Sequence, residues 1–157
     1  MGYKYILSSG IGEAPIELNA FDRALVRAGV GNYNLIKVSS ILPKGSQLTD
    51  SIELEKGSLL PVAYAAYTSN PCKEEKVLSA AVAIGIPESQ DSVGVIMEWS
   101  GLAPENNAKE QVTEMVKCAM ADRNIERFNI SINSVSGKTS IDNYVCVFAC
   151  VSIIHEE

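Results

Sequence analysis

Residues 28–43 read AGVGNYNLIKVSSILP, and the local signals in this stretch organise the rest of the chain. Gly29 stands where a helix commonly ends in a glycine cap. The run from Tyr33 to Val38 is rich in aromatic and aliphatic side chains and predicts a strand. Pro43 keeps the residue before it extended, so that no helix can pass through this segment. The stretch therefore predicts the end of a helix, a strand and an extended segment, in that order.

The sequence on either side predicts further strands and two helices. Apolar residues recur at three- and four-residue steps from Leu18 to Ala28 and predict a short helix that Gly29 ends. A second helix is predicted from Pro104 to about residue 124, because proline is favoured in the first helical turn. The other predictions are strands at about residues 3–8, 59–68, 76–86, 92–99, 127–135 and 143–154, turns at 9–12 and 136–138, and a polar loop at 44–58.

This order of elements indicates the fold class. About seven predicted strands and two predicted helices occur without the strand–helix alternation that is typical of a parallel sheet. We therefore expect an α+β fold, with mostly antiparallel sheets and helices packed outside them. The 157 residues, 46% of them hydrophobic, suit a single domain over residues 1–157, and no repeat, low-complexity tract or linker divides them.

Charge and hydropathy exclude several classes of partner. Thirteen Lys and Arg residues against nineteen Asp and Glu residues give a net charge of −6, which argues against nucleic acid or an anionic membrane as the partner. The longest apolar runs, at residues 80–86 and 144–151, fall well short of the roughly 20 residues that cross a bilayer. The first residues contain no apolar core of a signal peptide. We expect a cytoplasmic protein.

Most common catalytic and metal-binding patterns are missing. The single histidine, His155, lies near the C-terminus, so that neither a zinc pattern nor a Ser-His-Asp triad can be written. Gly29 and Gly31 begin like a dinucleotide-binding fingerprint, but Asn34 stands at the third glycine position and a strand follows where a helix is required. We expect the four cysteines to be buried, reduced thiols and the site to contain no metal.

The remaining candidate for chemistry is the serine pair Ser39–Ser40, which follows the predicted strand. A serine pair by itself usually marks no more than the start of a loop. A hydroxyl next to a peptide carbonyl can nevertheless attack it if the backbone is strained and the oxyanion is stabilised. The resulting ester can lose its carboxylate by elimination from the downstream serine, and hydrolysis of the dehydroalanine leaves a pyruvoyl ketone. Such a ketone can condense with a substrate amine and act as an electron sink.

Four blocks of the sequence, in matched order and spacing, closely resemble the pyruvoyl-dependent arginine decarboxylases. The resemblance runs from about residue 6 to the C-terminus, and its blocks are residues 18–22, 28–43, 57–64 and 94–98. It implies a lyase that converts L-arginine to agmatine and CO₂, in polyamine biosynthesis or in acid resistance. It also implies a four-layer αββα sandwich, and a homotrimer or dimer of trimers with active sites between neighbouring subunits.

The same resemblance implies a precursor, or zymogen, that cleaves itself between Ser39 and Ser40. Residues 1–39 would become the β chain and residues 40–157 the α chain. Ser40 would become a covalently bound pyruvoyl group, which takes the place of pyridoxal phosphate and requires no metal.

Three further positions match site residues of the family. Asp22 matches the acid that faces the guanidinium of arginine, with which a carboxylate pairs bidentately; without the resemblance it would be a solvated helix carboxylate beside Arg23. Glu98 matches the acid that protonates the α-carbon after CO₂ leaves. Its apolar neighbours predict a raised pKa, although an outward-facing strand glutamate is the ordinary alternative.

Asn34 matches an asparagine that is linked to self-cleavage in the family, where its amide can donate to the scissile carbonyl. In an extended chain, however, residues 34 and 40 are roughly 20 Å apart. Asn34 therefore serves this role only if the chain bends or if a neighbouring subunit supplies it. Otherwise Asn34 is an ordinary asparagine at the start of a strand, and its side chain forms hydrogen bonds within its own turn.

Two alternative functions remain open from the sequence. In the first, the same chemistry acts on another basic amino acid such as histidine or ornithine, because any cation is attracted to the carboxylate of Asp22. In the second, the chain is an unprocessed, non-catalytic trimeric relative with a structural or regulatory role.

Overall fold

Two stacked β-sheets with a helix on each outer face make up the computed structural model of this protein, which describes residues 2–156. In chain order the elements are β1 (Gly2–Ala14), α1 (Glu17–Arg27), β2 (Asn34–Lys37), β3 (Ile41–Leu42), β4 (Gln47–Leu48), β5 (Leu59–Ser69), β6 (Val77–Pro87), β7 (Gly94–Gly101), α2 (Glu105–Asp122), β8 (Phe128–Lys138) and β9 (Tyr144–Glu156). Neither helix in this described range is long and apolar enough to cross a membrane.

The strand order confirms the predicted fold class. The first sheet has five strands in the order β2-β5-β9-β1-β4, and the second has four strands in the order β3-β7-β6-β8. Neighbouring strands are antiparallel except for two parallel pairs, β1 with β4 and β2 with β5. The fold is therefore α+β with mostly antiparallel sheets.

Three apolar clusters hold the layers together. Val82 of β6 and Val147 of β9 belong to the cluster between the two sheets. Phe148 of β9 lies in a second cluster with Ala24 of α1, and Ala83 of β6 lies in a third with residues of α2. Because successive strand residues point to opposite faces, each central strand contributes to a core on both of its sides. The layer order is helix, sheet, sheet, helix, which is the αββα sandwich that the resemblance implies.

Helix α1 packs directly on the backbone of β1. A Cβ atom added at Gly10 would collide with the carbonyl oxygen of Ala24, and one added at Gly12 would collide with that of Ala20. These two glycines therefore let the helix approach the sheet more closely than any side chain would permit. This close approach fixes α1 on the outer face of the first sheet.

Two predicted turns are wrong. Residues 9–12 are not a turn, because β1 continues through them and pairs with β9 as far as Ala14. The glycines that indicated a turn instead make room for α1. Residues 136–138 are likewise the end of β8, and the connection to β9 lies at 139–143. The two-residue strands β3 and β4 carry no detectable periodicity and were not predicted.

The cysteines follow the prediction only in part. All four are free thiols, as expected. Cys146 and Cys150 are buried in β9, whereas Cys72 is partly exposed and Cys118 lies exposed on α2. The prediction of burial is therefore wrong for Cys118, because a cysteine carries no local signal that tells which face of an amphipathic helix it occupies.

Replacement of Gly12 by alanine is expected to destabilise the fold by about 1–3 kcal/mol, because a methyl group there must displace the α1 backbone. Chemical denaturation would measure the free energy of unfolding. The matched control is Gly2→Ala on the same strand, where an added Cβ meets nothing within 4 Å. Equal stability of the two variants would contradict the backbone-to-backbone packing of α1 on β1.

Candidate active site

Ser39 and Ser40 form the segment that crosses from the first sheet to the second. The N–H of Val38 donates to the carbonyl of Val62 on β5, at 3.1 Å, at the start of this crossing. At its end, the N–H of Ile96 on β7 donates to the carbonyl of Ser40, at 2.8 Å. The serine pair is thus held at both ends, by one sheet on each side.

The backbone of Ser40 is in an unfavourable conformation. Its φ angle is +45°, in the left-handed region that residues with a Cβ rarely adopt. This conformation costs about 1–2 kcal/mol for a residue other than glycine. Among the described residues other than glycine, only Asn124 also has a positive φ angle, and asparagine tolerates this region better than serine does. Strain of this kind persists only where the surrounding contacts enforce it, as the two tethers of the crossing do.

Glu98 lies directly against the Ser40 side chain. The hydroxyl of Ser40 donates to the Glu98 carboxylate and lies 3.0 Å from each of its oxygens. Glu98 is on β7, two residues after Ile96, which belongs to the cluster between the sheets. Because residues two apart share a strand face, Glu98 also faces the first sheet and is partly buried there.

The electrostatic state of Glu98 follows from this location. Burial raises the pKa of its carboxyl above the ordinary value, while the hydrogen bond from Ser40 and the positive charge of Lys37 work against that rise in pKa. The raised pKa expected from the apolar neighbours of Glu98 is confirmed. A carboxyl group with a raised pKa keeps its proton to a higher pH than an ordinary glutamate does.

Lys37 and Ser100 border the Ser40–Glu98 pair, and sequence reasoning did not single out either of them. Lys37 ends β2, and its ammonium group lies 4.6 Å from the centre of the Tyr64 ring, a cation–π distance. The hydroxyl of Ser100 donates to the carbonyl of Ala66 at 3.0 Å. Neither residue is unusual for a strand, so that the only available signal was proximity in sequence to Ser40 and Glu98.

Asn34 lies at the opposite end of β2 from the crossing. Its side-chain amide donates to the carbonyl of Gly57 at 2.7 Å, and its backbone N–H donates to the carbonyl of Ser58 at 2.9 Å. Gly57 has a φ angle of +91°, so that these bonds fasten a tight turn before β5. Within one chain the amide of Asn34 is therefore engaged away from Ser39, and its role in self-cleavage stays a prediction.

Asp22 lies on α1, on the outer side of the first sheet and away from the space between the sheets. Leu18 and Val26, one turn away on either side along the helix, are 72% and 54% exposed. Within residues 2–156 no hydrogen bond or ion pair joins Asp22 to another side chain. The structure of the single chain therefore brings together Ser39, Ser40 and Glu98, but not Asp22 or Asn34.

The described part of the chain contains no group of three or more His, Cys, Asp or Glu residues close enough to share a metal ion. At the crossing, the hydroxyl of Ser40 lies beside the carboxyl of Glu98 and near the ammonium of Lys37.

Comparisons with known proteins agree with the four sequence blocks. A family model described as pyruvoyl-dependent arginine decarboxylase matches residues 4–157. The chain is 37% identical to the pyruvoyl-dependent arginine decarboxylase of Methanococcus aeolicus over 147 residues, which cover 94% of this chain and 87% of that protein. The protein of the same name from Methanocaldococcus jannaschii is 35% identical over 147 residues, with the same coverage of 94% and 87%. The one from Methanothermobacter thermautotrophicus is 38% identical over 125 residues, or 78% and 79% of the two chains. The resemblance is confirmed: this chain belongs to the pyruvoyl-dependent arginine decarboxylase family.

Proposed function

We propose that this chain is the precursor of an arginine decarboxylase, which cleaves itself between Ser39 and Ser40 and then converts L-arginine to agmatine and CO₂. The observation that carries the proposal is the contact between Ser40 and Glu98. A serine with a strained backbone donates its hydroxyl to a partly buried carboxyl group whose pKa is raised. Membership of the family gives this contact its chemical meaning.

Self-cleavage uses groups that already lie at the crossing. The Ser40 oxygen attacks the Ser39 carbonyl carbon as its proton leaves, and Glu98 is the acceptor at hydrogen-bond distance for that proton. The C–N bond of the peptide then breaks, its nitrogen takes up a proton, and an ester joins Ser39 to the Ser40 side chain. Loss of a proton from the Ser40 α-carbon expels the Ser39 carboxylate. Hydrolysis of the dehydroalanine releases ammonia and leaves the ketone.

The surroundings of Ser40 fit the covalent pyruvoyl group. The group would remain at the N-terminus of the α chain, where the backbone carbonyl of residue 40, kept as the amide carbonyl, could still accept from the N–H of Ile96. When formed, it supplies an electron sink for the electron pair that CO₂ leaves behind. Glu98 lies beside this position and, when protonated, returns a proton to the substrate α-carbon.

Recognition of arginine is assigned to Asp22. The planar guanidinium and a carboxylate form two parallel hydrogen bonds, which give selectivity as well as affinity. Because Asp22 lies on the outer face of the first sheet, the proposal requires that a neighbouring subunit present it to Ser40. A homotrimer or dimer of trimers with active sites between subunits meets this requirement, and the exposed Leu18 and Val26 offer apolar surface beside the carboxylate.

Asn34 is proposed to assist self-cleavage as an amide donor to the scissile carbonyl. In the single chain its amide is bonded to the carbonyl of Gly57. The role therefore requires either the release of that bond or an Asn34 from a neighbouring subunit.

The proposed enzyme works in the cytoplasm, in polyamine biosynthesis or acid resistance.

The state of the bond between residues 39 and 40 tests the proposal directly. The intact mass of the purified protein is expected to correspond to two fragments, residues 1–39 and 40–157, the second blocked to Edman degradation. Ser40→Ala is expected to stay whole and to release no CO₂ from arginine. Ser46→Ala, which removes a loop hydroxyl that donates to the carbonyl of Pro43, is the matched control and should be cleaved normally. A wild-type chain that stays intact after long warm incubation would favour the non-catalytic alternative.

The proton donated by Glu98 predicts the pH dependence of turnover in the processed enzyme. Only the protonated acid can donate, so that kcat is expected to fall as the pH rises through the raised pKa of Glu98. In Lys37→Gln the opposing positive charge is gone, the pKa of Glu98 rises further, and the fall in kcat should move to higher pH. In Glu98→Gln kcat should drop by about 10²–10⁴-fold, whereas Glu88→Gln, at an exposed loop position, should change neither quantity. A pH profile unchanged by Lys37→Gln would contradict this assignment.

Substrate preference tests the role of Asp22. Asp22→Asn is expected to raise KM for arginine by about 10- to 100-fold, because it removes the charge from a charge-assisted pair. Glu17→Gln, an exposed carboxylate on the same helix, is the control and should leave KM unchanged. Initial rates on arginine, ornithine, histidine and lysine would measure the preference. A faster rate on one of the other amino acids would support the alternative substrate.

A further inference from the structure

Ser100 forms a hydrogen bond between the two sheets close to Glu98. The two residues are two positions apart on β7 and therefore share the strand face that points to the first sheet. The hydroxyl of Ser100 donates to the carbonyl of Ala66, on β5 of the first sheet, at 3.0 Å. Within residues 2–156 it is the only side-chain hydrogen bond that joins a strand of one sheet to a strand of the other.

The acceptor is available because β5 has no neighbour on that side at Ala66. β2 pairs with β5 only from Leu59 to Val62, and the chain then leaves for the crossing. The carbonyl of Val62 points to the β2 side, since it accepts from the N–H of Val38. Carbonyls an even number of residues apart in a strand point to the same side, so that the carbonyl of Ala66 points to the open edge, where Ser100 bonds to it.

The end of β7 that carries Glu98 also lacks a strand on one side. β3 pairs only with Gly94 and Val95, whereas β6 pairs with β7 on the other side as far as Gly101. Beyond the bond from the N–H of Ile96 to Ser40, this edge of β7 has no strand to hold it. Its distance from the first sheet is therefore set by side-chain packing and by the bond from Ser100.

We propose that Ser100 is a positioning residue, whose bond to Ala66 holds the Glu98 carboxyl at the atoms of Ser40. The inference rests on the proposed function. Among residues 2–156 no hydrogen bond joins Ser100 to Ser40, and the hydroxyl proton of Ser100 is engaged by the carbonyl of Ala66. It acts by fixing how far β7 stands from the crossing, and hence the contact of 3.0 Å between the Ser40 hydroxyl and Glu98.

This arrangement predicts which steps depend on Ser100. Self-cleavage and the return of the proton both use Glu98, so that both slow together when the bond to Ala66 is lost. Binding of arginine does not depend on the bond, because the guanidinium is assigned to the Asp22 that a neighbouring subunit presents. Loss of the Ser100 hydroxyl is therefore expected to lower kcat and to leave KM unchanged.

The test compares three variants at Ser100 with a control at Ser79. Ser100→Ala is expected to lower both kcat and the rate of cleavage between residues 39 and 40 by about three- to tenfold, the amount that one hydrogen bond contributes. Ser100→Thr keeps the hydroxyl and should restore both rates. Ser100→Cys, a weaker donor of similar shape, should give intermediate rates and serves if the alanine variant does not fold.

Ser79→Ala separates positioning from stability. Ser79 is a buried serine of the second sheet whose hydroxyl also donates to a backbone carbonyl, that of Ala103, at 2.8 Å, but it lies on β6 away from Glu98. The Ser79→Ala variant should have a lower midpoint of thermal unfolding but an unchanged kcat and an unchanged cleavage rate.

Three outcomes overturn the inference: wild-type rates in both Ser100→Ala and Ser100→Cys, a raised KM with unchanged kcat, or failure of Ser100→Thr to restore the rates. A wild-type chain that is never cleaved refutes the proposed function, and with it the step that Ser100 serves. A cleaved, active wild type with fully active Ser100 variants refutes only the inference.

Discussion

The crossing of the chain from one sheet to the other is the constraint on which the site depends. Val38 is bonded to the first sheet and Ser40 to the second, so that the change of direction falls on Ser39 and Ser40. A backbone tied at both ends cannot relax to a favourable φ angle at Ser40. The same ties hold its hydroxyl against Glu98. The strained backbone of Ser40 and its contact with Glu98 thus have one structural origin, which is the short connection between β2 and β3.

Glu98 gains its properties from the stacking of the sheets. A carboxylate on an outward strand face would be fully hydrated and would keep its ordinary pKa. Here the face of β7 that carries Glu98 is covered by the first sheet, and the loss of hydration raises the pKa. The Ser40 hydroxyl and Lys37 offset part of that cost. The result is a carboxyl group whose pKa is raised by burial and lowered in part by its two neighbours.

Local sequence signals predicted those elements whose residue pattern is typical of only one kind of secondary structure. The apolar period of α1 and its glycine cap, and the runs of β5, β6 and β7 that are rich in Val, Ile and Tyr, lie within a few residues of their predicted positions. The turn predicted at the glycines of residues 9–12 was wrong, because glycine occurs both in turns and where two backbones pack closely. At Gly10 and Gly12 the glycines accommodate α1, which lies beside them only in the folded chain. Ser39, Ser40 and Glu98 were identified by resemblance, whereas Lys37 and Ser100 carried no signal of their own.

The sequence by itself determined the succession of helices and strands, the membership of the family and the chemical groups available, because these depend on residue types and on neighbours a few positions away. Only the tertiary structure decided that Ser40 adopts a positive φ angle and that its hydroxyl reaches a carboxyl group 58 residues further along the chain. It also decided that Asp22 and the amide of Asn34 lie apart from that pair within one chain. These outcomes depend on which strand faces become buried and which segments are tied together, and burial is a property of the whole packed fold rather than of any local stretch.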